Sequence, residues 1–336
     1  MVGRFAIDAG GSRTRVLVVP GDGRARRTFE FPSINPHATG DEAGRTLRAA
    51  FAEIGAALGA GPSVGWLASA AAGPGGIGPE LERAGAAADA AGLDTAGLVV
   101  SNDVLPLLWG VPALSGVGVV AVCGTGSGFF GTDGKRVANA GGCEYLGSDE
   151  GGAVDIGLRG LRAAVRATDG RGPETALVDA LGEYAGTTVA GLARRLAAQP
   201  FPKQGLAALA PVVCATWLAG DEVALGVVDQ AVGDLAEGVY AVRDALGLPD
   251  GFAVAAAGGV FTGCPELYEQ FAHHLTGPVG AGSADLVTDT ASVVLTALDR
   301  FAVDGEPVLP GGLDAYAAAL PPRRRHEAGT VLGGVR

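Results

Sequence analysis

The sequence predicts an α/β protein of two lobes, each built on a partly parallel sheet, and three observations carry that expectation. Strand-like apolar runs alternate with helical ones along most of the chain, the pattern of sheets crossed by helices. Two glycine-rich turns of the same make, Asp8-Ala9-Gly10-Gly11-Ser12-Arg13-Thr14 and Cys123-Gly124-Thr125-Gly126-Ser127-Gly128, recur a little over a hundred residues apart, each between two apolar runs. The length of 336 residues suits about two domains on a prior of roughly 150 residues each.

The elements follow in order. Arg4–Ile7 and Arg15–Val19 flank the first glycine turn as strands, Pro20-Gly21-Asp22-Gly23 turns the chain, and a third strand lies near Arg26–Phe31. The loop Pro32–Pro36 leads to a helix at about Asp41–Leu58, with alanine and leucine at helical spacing. Val64–Ala70 reads as a strand, Pro79–Ala91 as a helix with proline in its first turn, and Leu98–Ser101 as a strand ending at Asn102-Asp103 before a helix from Leu105 to Trp109. The pattern then restarts: Val117–Val122 and Phe129–Phe130 flank the second glycine turn, and Thr132–Lys135 turns the chain again. Helices are expected over Gly152–Ala167, Leu177–Leu196 and Gly205–Leu246, a strand over Phe252–Ala257, and a last helix over Asp289–Phe301. The expected division is 1–113 for the N-terminal lobe, 114–288 for the C-terminal lobe, 289–303 for a helix returning to the first, and 304–336 for a proline- and glycine-rich tail bearing Arg323-Arg324-Arg325. That tail is read as mobile, with a packed terminal strap as the alternative.

Composition narrows the function classes. Twenty-four basic against 36 acidic residues leave a net charge of −12, which disfavours nucleic-acid and anionic-membrane binding because both need a basic surface. The basic residues are almost all arginine, with Lys135 and Lys203 the lysines, and this is read as compositional bias rather than mechanism. Four cysteines (Cys123, Cys143, Cys214, Cys264) are scattered without metal-ligand spacing, so reduced thiols are expected. The chain opens directly into a strand, with no signal peptide pattern, and no apolar run approaches the roughly 20 residues of a spanning helix. A soluble cytoplasmic protein is the expectation.

The chemistry concentrates at glycine turns and strand-end carboxylates. A turn without Cβ atoms lets backbone N–H groups close around an anion, and hydroxyls add donors. Gly10, Gly11, Ser12 and Thr14 on one side and Gly124, Thr125, Gly126 and Ser127 on the other therefore read as two halves of a phosphate clamp. No G-x-x-x-x-G-K-[ST] occurs. Gly73-Pro74-Gly75-Gly76-Ile77-Gly78 fits a dinucleotide fingerprint, but Asp94 precedes the strand at whose end that fold wants an acid, so the match is weak. Asp8, ending the first strand, can hold Mg²⁺ through water near a phosphate, or cap the hairpin as an Asx turn. Asp103, at another strand end, can take a proton from a substrate hydroxyl, or cap the following helix. Asp149, in Asp149-Glu150-Gly151, can accept from vicinal sugar hydroxyls, or cap its helix.

In that order, Asp8–Thr14, Asn102-Asp103, Gly124–Ser127, Gly141–Gly157 and Ala257-Gly258-Gly259-Val260 resemble the superfamily of acetate and sugar kinases, heat-shock chaperones and actin. They look most like its branch of N-acetylglucosamine kinases and BadF/BadG/BcrA/BcrD ATPases. The resemblance covers roughly residues 4–300. It implies two ribonuclease-H-like, actin-like ATPase lobes with a central interlobe cleft, closing on ATP and Mg²⁺, with phosphoryl transfer to a hydroxyl of a small-molecule sugar, N-acetylglucosamine or glucosamine foremost. It implies Asp103 as catalytic base, and Asn35, Asn102, Gly142, Cys143 and Asp149 as substrate contacts. Gly258 and Gly259 would bind adenosine, and a homodimer is the implied assembly.

The chain departs from that branch at Gly141-Gly142-Cys143-Glu144, where Gly-Gly-Trp-Gly is frequent, and at Ser148–Gly152, where Gly-Asp-Glu-Gly-Ser is frequent. Both change the wall near the sugar, so a free amine, another amino sugar or a cyclitol stays open as substrate. The same resemblance extends to ATPase activators of 2-hydroxyacyl-CoA dehydratases and benzoyl-CoA reductases, which share an iron–sulfur cluster across a dimer, and Cys123 keeps that reading in play. A noncatalytic sugar or nucleotide sensor is a third reading, opposed by the presence of Asp8, Asp103 and Asp149.

Overall fold

The computed structural model describes residues 2–73, 75–200, 202–303, 306–307 and 317–320. The chain divides into two compact units, Met1–Gly110 with Asp289–Arg336, and Val111–Thr288.

The first unit opens with an antiparallel meander of β1 (Gly3–Ala9), β2 (Arg13–Val19) and β3 (Arg27–Pro32). A short α1 (Pro36–Thr39) and α2 (Glu42–Leu58) then carry the chain to β4 (Pro62–Ser69), parallel to β1. Next, α3 (Ile77–Ala90) leads to β5 (Asp94–Ser101), parallel to β4, and α4 (Leu105–Gly110) closes this stretch. Parallel neighbours need a crossover, and α2 and α3 provide it.

The second unit repeats the scheme. β6 (Gly118–Cys123), β7 (Ser127–Thr132) and β8 (Val137–Gly141) form the meander. A helical block follows: α5 (Glu144–Gly147), α6 (Ala153–Thr168), α7 (Leu177–Ala185), α8 (Val189–Ala197), α9 (Lys203–Ala207), α10 (Ala210–Leu218) and α11 (Glu222–Leu246). Then β9 (Ala253–Ala257) pairs parallel to β6, α12 (Gly259–Gly263) and α13 (Pro265–Thr276) cross over, and β10 (Ser283–Val287) pairs parallel to β9. The chain returns to the first unit as α14 (Thr290–Phe301), a small ribbon of β11 (Ala302–Val303) and β12 (Glu306–Pro307), and β13 (Ala317–Leu320) on the edge of β5. Strand order is β13-β5-β4-β1-β2-β3 in one sheet and β10-β9-β6-β7-β8 in the other, so five strands of each share one topology.

Strand alternation sets both cores. Phe5 and Ile7 of β1 and Val16 and Val18 of β2 pack with Leu47, Phe51 and Ile54 of α2 and Ala84 and Ala88 of α3. Phe5 meets Phe51 edge-on at 5.9 Å. Trp66 of β4 instead meets Phe301 of α14, whose ring also takes the edge of Trp109 of α4 at 5.3 Å. Fully burying a phenylalanine such as Phe5 or Phe51 contributes about 1.5–3 kcal/mol. In the second unit α11 lies along β6, β7 and β8, burying Val228, Leu235 and Val239 among Phe129 and Val119.

Several expectations need correction. Leu177–Leu196 is two helices, because the Thr188 hydroxyl accepts from the Gly191 N–H and starts α8 afresh. Gly205–Leu246 is three: Pro211 lies in the first turn of α10, and the Asp221 carboxylate caps α11 by accepting from the Ala224 N–H at 2.8 Å. Asp94 does not precede β5 but begins it, at the amino end, where a dinucleotide acid is still misplaced. Within 304–336, Ala317–Leu320 form a strand paired to Leu98–Ser101 as a strap would, and the Arg323–Arg325 run lies outside the described residues. Among the described residues no single helix is long and apolar enough to cross a membrane.

Candidate active site

The first unit holds one glycine turn in the β1–β2 hairpin. The Gly10 N–H donates to the Arg13 carbonyl at 3.0 Å, so backbone closes the turn and the Asp8 carboxylate does not cap it. The loop after β3 grips the turn from behind. Ser33 Oγ donates to the Gly10 carbonyl at 3.1 Å, and the buried Thr14 hydroxyl accepts from the Ile34 N–H at 3.3 Å. Thr14, expected as a phosphate contact, therefore braces the turn, and the exposed tip is Gly11-Ser12.

Asn35 follows in the same loop, its N–H on Ser33 Oγ and its carbonyl accepting from Thr39 in α1. An ion pair fixes this loop from a second side. Buried Glu80 of α3 accepts from Ser69 Oγ at the end of β4 (2.8 Å) and pairs with Arg83, whose Nη2 donates to the Ile34 carbonyl at 3.1 Å. Glu80→Ala strands Arg83 and Ser69. We expect it to destabilise the protein by about 2–3 kcal/mol in urea unfolding, less than a fully buried pair because Arg83 keeps some solvent; a cost under about 0.5 kcal/mol would show the pair to be idle.

Two carboxylates stand at strand ends in this unit. Asp8 accepts from the Thr290 hydroxyl at the start of α14. Burial raises its pKa, opposed by that hydrogen bond and by Arg15 and Arg13, and helped by Asp289. Asp103 follows β5 by two residues. The helix cap proposed for it belongs to Asn102, whose Oδ1 accepts from the Leu105 N–H at 2.9 Å. Burial, with the charge of Asp8 added, pushes the Asp103 carboxyl up to about 6.

A divalent cation suits Asp8. Burial disfavours its charged form, and a nearby cation restores it; the ligand is a hard oxygen. No group of three or more metal-binding side chains converges among the described residues.

The second unit holds the other turn between β6 and β7, and here α6 does the bracing. The Ala153 and Val154 N–H groups, in the first turn of α6, donate to the Gly124 and Thr125 carbonyls at 2.9 and 3.1 Å. The positive end of a helix dipole thus adjoins the turn. Ser127, also expected on a phosphate, spends its hydroxyl on the Glu150 carbonyl (2.7 Å) and its N–H on Asp149 Oδ1 (3.3 Å). Cys123 is buried, its thiol donating to the Gly151 carbonyl at 3.2 Å and pushed far up by burial.

Asp149 is therefore no helix cap. It is 5% exposed, sits at φ +71, and lays its carboxylate against the turn; a Cβ on Gly126 would stand 2.2 Å from Oδ2. Its cation is Lys203, 3.6 Å away, which also pairs with Glu144 at 2.6 Å. Gly142 donates to the Ser127 carbonyl at 3.1 Å, and Cys143 is exposed beside it with its N–H on Ser148 Oγ. Gly258, at φ +122, passes so close to the end of β6 that a Cβ would meet the Cys123 carbonyl at 2.2 Å; around Gly259, which opens α12, nothing lies within 4 Å.

Sequence reasoning missed Lys203, Thr290 and the Glu80–Arg83 pair. The rarity of lysine was a usable signal for the first. Asp289, between β10 and α14, and Thr290, which opens α14, fit the strand-end rule that found Asp8 and Asp103.

The sequence profile of the BadF/BadG/BcrA/BcrD ATPase family matches residues 6–280. The chain belongs to this family. The chain is 29% identical over 177 residues to an N-acetylmuramic acid/N-acetylglucosamine kinase of Clostridium acetobutylicum, a match covering 52% of this chain and 57% of the relative. The chain thus spans a little over half the length of the curated relative it matches. Solved structures share its fold. A provisionally assigned N-acetylglucosamine kinase of Porphyromonas gingivalis has a TM-score of 0.68 at 18% identity, covering 90% of this chain and 100% of that one. Another from Chromobacterium violaceum has a TM-score of 0.62 at 24% identity, covering 88% and 99%. The fold of this family member is accordingly the α/β, actin-like ATPase fold, with one large sheet in each unit.

The activator reading rested on Cys123. That thiol is buried, donates to the Gly151 carbonyl and has its pKa raised by burial.

Proposed function

We propose that this family member is an ATP-dependent sugar kinase, transferring the γ-phosphate of ATP to a hydroxyl of an amino sugar or hexose, N-acetylglucosamine or glucosamine foremost. The observation that carries the reading is Asp103. It is a carboxylate at a strand end, relieved of capping by Asn102, with a pKa of about 6 that suits a base working near neutrality. The kinase name of the Clostridium acetobutylicum relative points the same way.

In this mechanism Asp103 accepts the proton of the sugar hydroxyl as its oxygen attacks the γ-phosphorus, and ADP leaves. The backbone N–H groups of the glycine turns Gly10–Ser12 and Gly124–Gly126 are the proposed phosphate contacts. Asp8 would hold Mg²⁺, which supplies charge neutralisation on the phosphates. Little more is required, because phosphoryl transfer rests on positioning and electrostatics. Asn35, Asn102, Gly142, Cys143 and Asp149 are the proposed sugar contacts, Asp149 by accepting from two hydroxyls, and Gly258-Gly259 the proposed adenosine contact. A cytoplasmic homodimer is the proposed setting.

The test is ADP release with ATP and Mg²⁺ against N-acetylglucosamine, glucosamine, N-acetylmannosamine, N-acetylmuramic acid, glucose and several cyclitols. Sugar-dependent release on at least one is expected. Silence across the whole panel, with ATP still bound, would sink the kinase reading for these substrates.

A further inference from the structure

Among the described residues three non-glycine residues sit at positive φ, and two of them, Glu144 (φ +66) and Asp149 (φ +71), carry carboxylates that share one ammonium. The left-handed region costs an L-residue about 1–2 kcal/mol, and such strain persists only where surrounding contacts hold it. The ammonium is that of Lys203, first residue of α9, one of two lysines in the chain. It lies 2.6 Å from Glu144 Oε2, 3.6 Å from Asp149 Oδ2 and 5.9 Å from the centre of the Tyr145 ring.

The two partners differ in kind. The Glu144 side chain is 70% exposed and that of Asp149 only 7%. An exposed pair is worth little by itself, so the Glu144 contact serves to hold the flexible lysine stem in place. The Asp149 contact acts in a drier corner, where a charge without a partner is costly. Four groups face that carboxylate: Lys203 from α9, Glu144 from α5, the Ser127 N–H from β7, and the Gly126 backbone.

We propose that Lys203 is a positioning residue for sugar binding, holding the Asp149 carboxylate against the second glycine turn, with Glu144 as its outer anchor. The proposal rests on the kinase reading in one respect, that Asp149 meets the sugar. A charged carboxylate accepts through both oxygens, whereas protonation turns one of them into a donor. Burial raises the Asp149 pKa, Glu144 adds to the rise, and Lys203 is the largest opposing influence. Removing Lys203 therefore weakens sugar binding most at lower pH and leaves the chemistry at Asp103 untouched.

The test compares full-length wild type, Lys203→Met and Lys203→Arg. For a sugar the wild type accepts, K203M is expected to raise KM about tenfold or more with kcat within about threefold, and K203R to recover most of the loss. The KM penalty of K203M should shrink as pH rises. Without substrate, the melting-temperature deficit of K203M should be larger near pH 8 than near pH 5, because at the higher pH the buried Asp149 carboxylate is charged and has lost its cation. An unchanged sugar KM, or a melting deficit independent of pH, overturns the proposal. If the wild type turns over no sugar while the pH-dependent deficit is present, the kinase reading fails and the hold of Lys203 on Asp149 stands.

Discussion

Asp103→Asn is expected to lower kcat on the accepted sugar by about 10²–10⁴-fold while leaving sugar and ATP affinities within about threefold, the size of effect a lost general base has. Asparagine matches the shape of the carboxylate but takes no proton. Nor is the helix start disturbed, since Asn102 makes the cap on Leu105. In the wild type, kcat/KM should fall as pH drops through about 6, where Asp103 becomes protonated, and the residual rate of D103N should lack that limb. Stability should move the other way. The folded-state pKa lies above the ordinary 3.8, so the folded protein holds the proton over the window from 3.8 to about 6, and stability contributed by this group declines as pH rises through it. D103N is therefore expected to melt above the wild type near pH 8, with the gap closing below about pH 6. Turnover near the wild-type rate would remove Asp103 from the role of base.

Gly258→Ala is expected to cost about 3 kcal/mol or more, enough to endanger folding, because two penalties coincide. Alanine at φ +122 is strained whatever the space, and its Cβ would stand 2.2 Å from the Cys123 carbonyl, a backbone atom that cannot swing aside. Gly259→Ala is the control. Nothing lies within 4 Å of its Cβ, and alanine suits the first residue of α12 at least as well as glycine does. G259A should keep wild-type stability within about 0.5 kcal/mol in urea unfolding while raising KM for ATP. If it binds ATP as the wild type does, this motif holds the fold together at Gly258 and does not touch the nucleotide.

The contrast between Gly258 and Gly259 shows where sequence reading reaches. Both glycines were visible in one motif, yet only the approach of β9 to β6 separates a glycine required by backbone packing from one with open space beside it. The same holds at the turns. Gly10–Thr14 and Gly124–Ser127 were legible as paired glycine turns, but the bracing by Thr14 and Ser127 was not, because their hydrogen-bond partners, the Ile34 N–H and the Glu150 carbonyl, come from loops about 20 residues further on. Helix breaks before Thr188 and Asp221 were hidden by continuous apolar periodicity, although Pro211, Asp221 and the N-cap chemistry of Thr188 were there to be read.

By itself, then, the sequence determined the two sheets, the hairpin turns between their first strands, and the strand-end position of Asp8 and Asp103. All of these follow from local periodicity, glycine geometry and short spacing. Tertiary structure alone decided which polar groups are spent inside the protein and which carboxylates share a cation. Thr290 reaches Asp8 across 282 residues, Lys203 reaches Glu144 across 59, and Asn102 takes the cap from its neighbour. Charge and hydrogen bonding act through space over a few ångströms, and only the folded chain sets which residues stand that close.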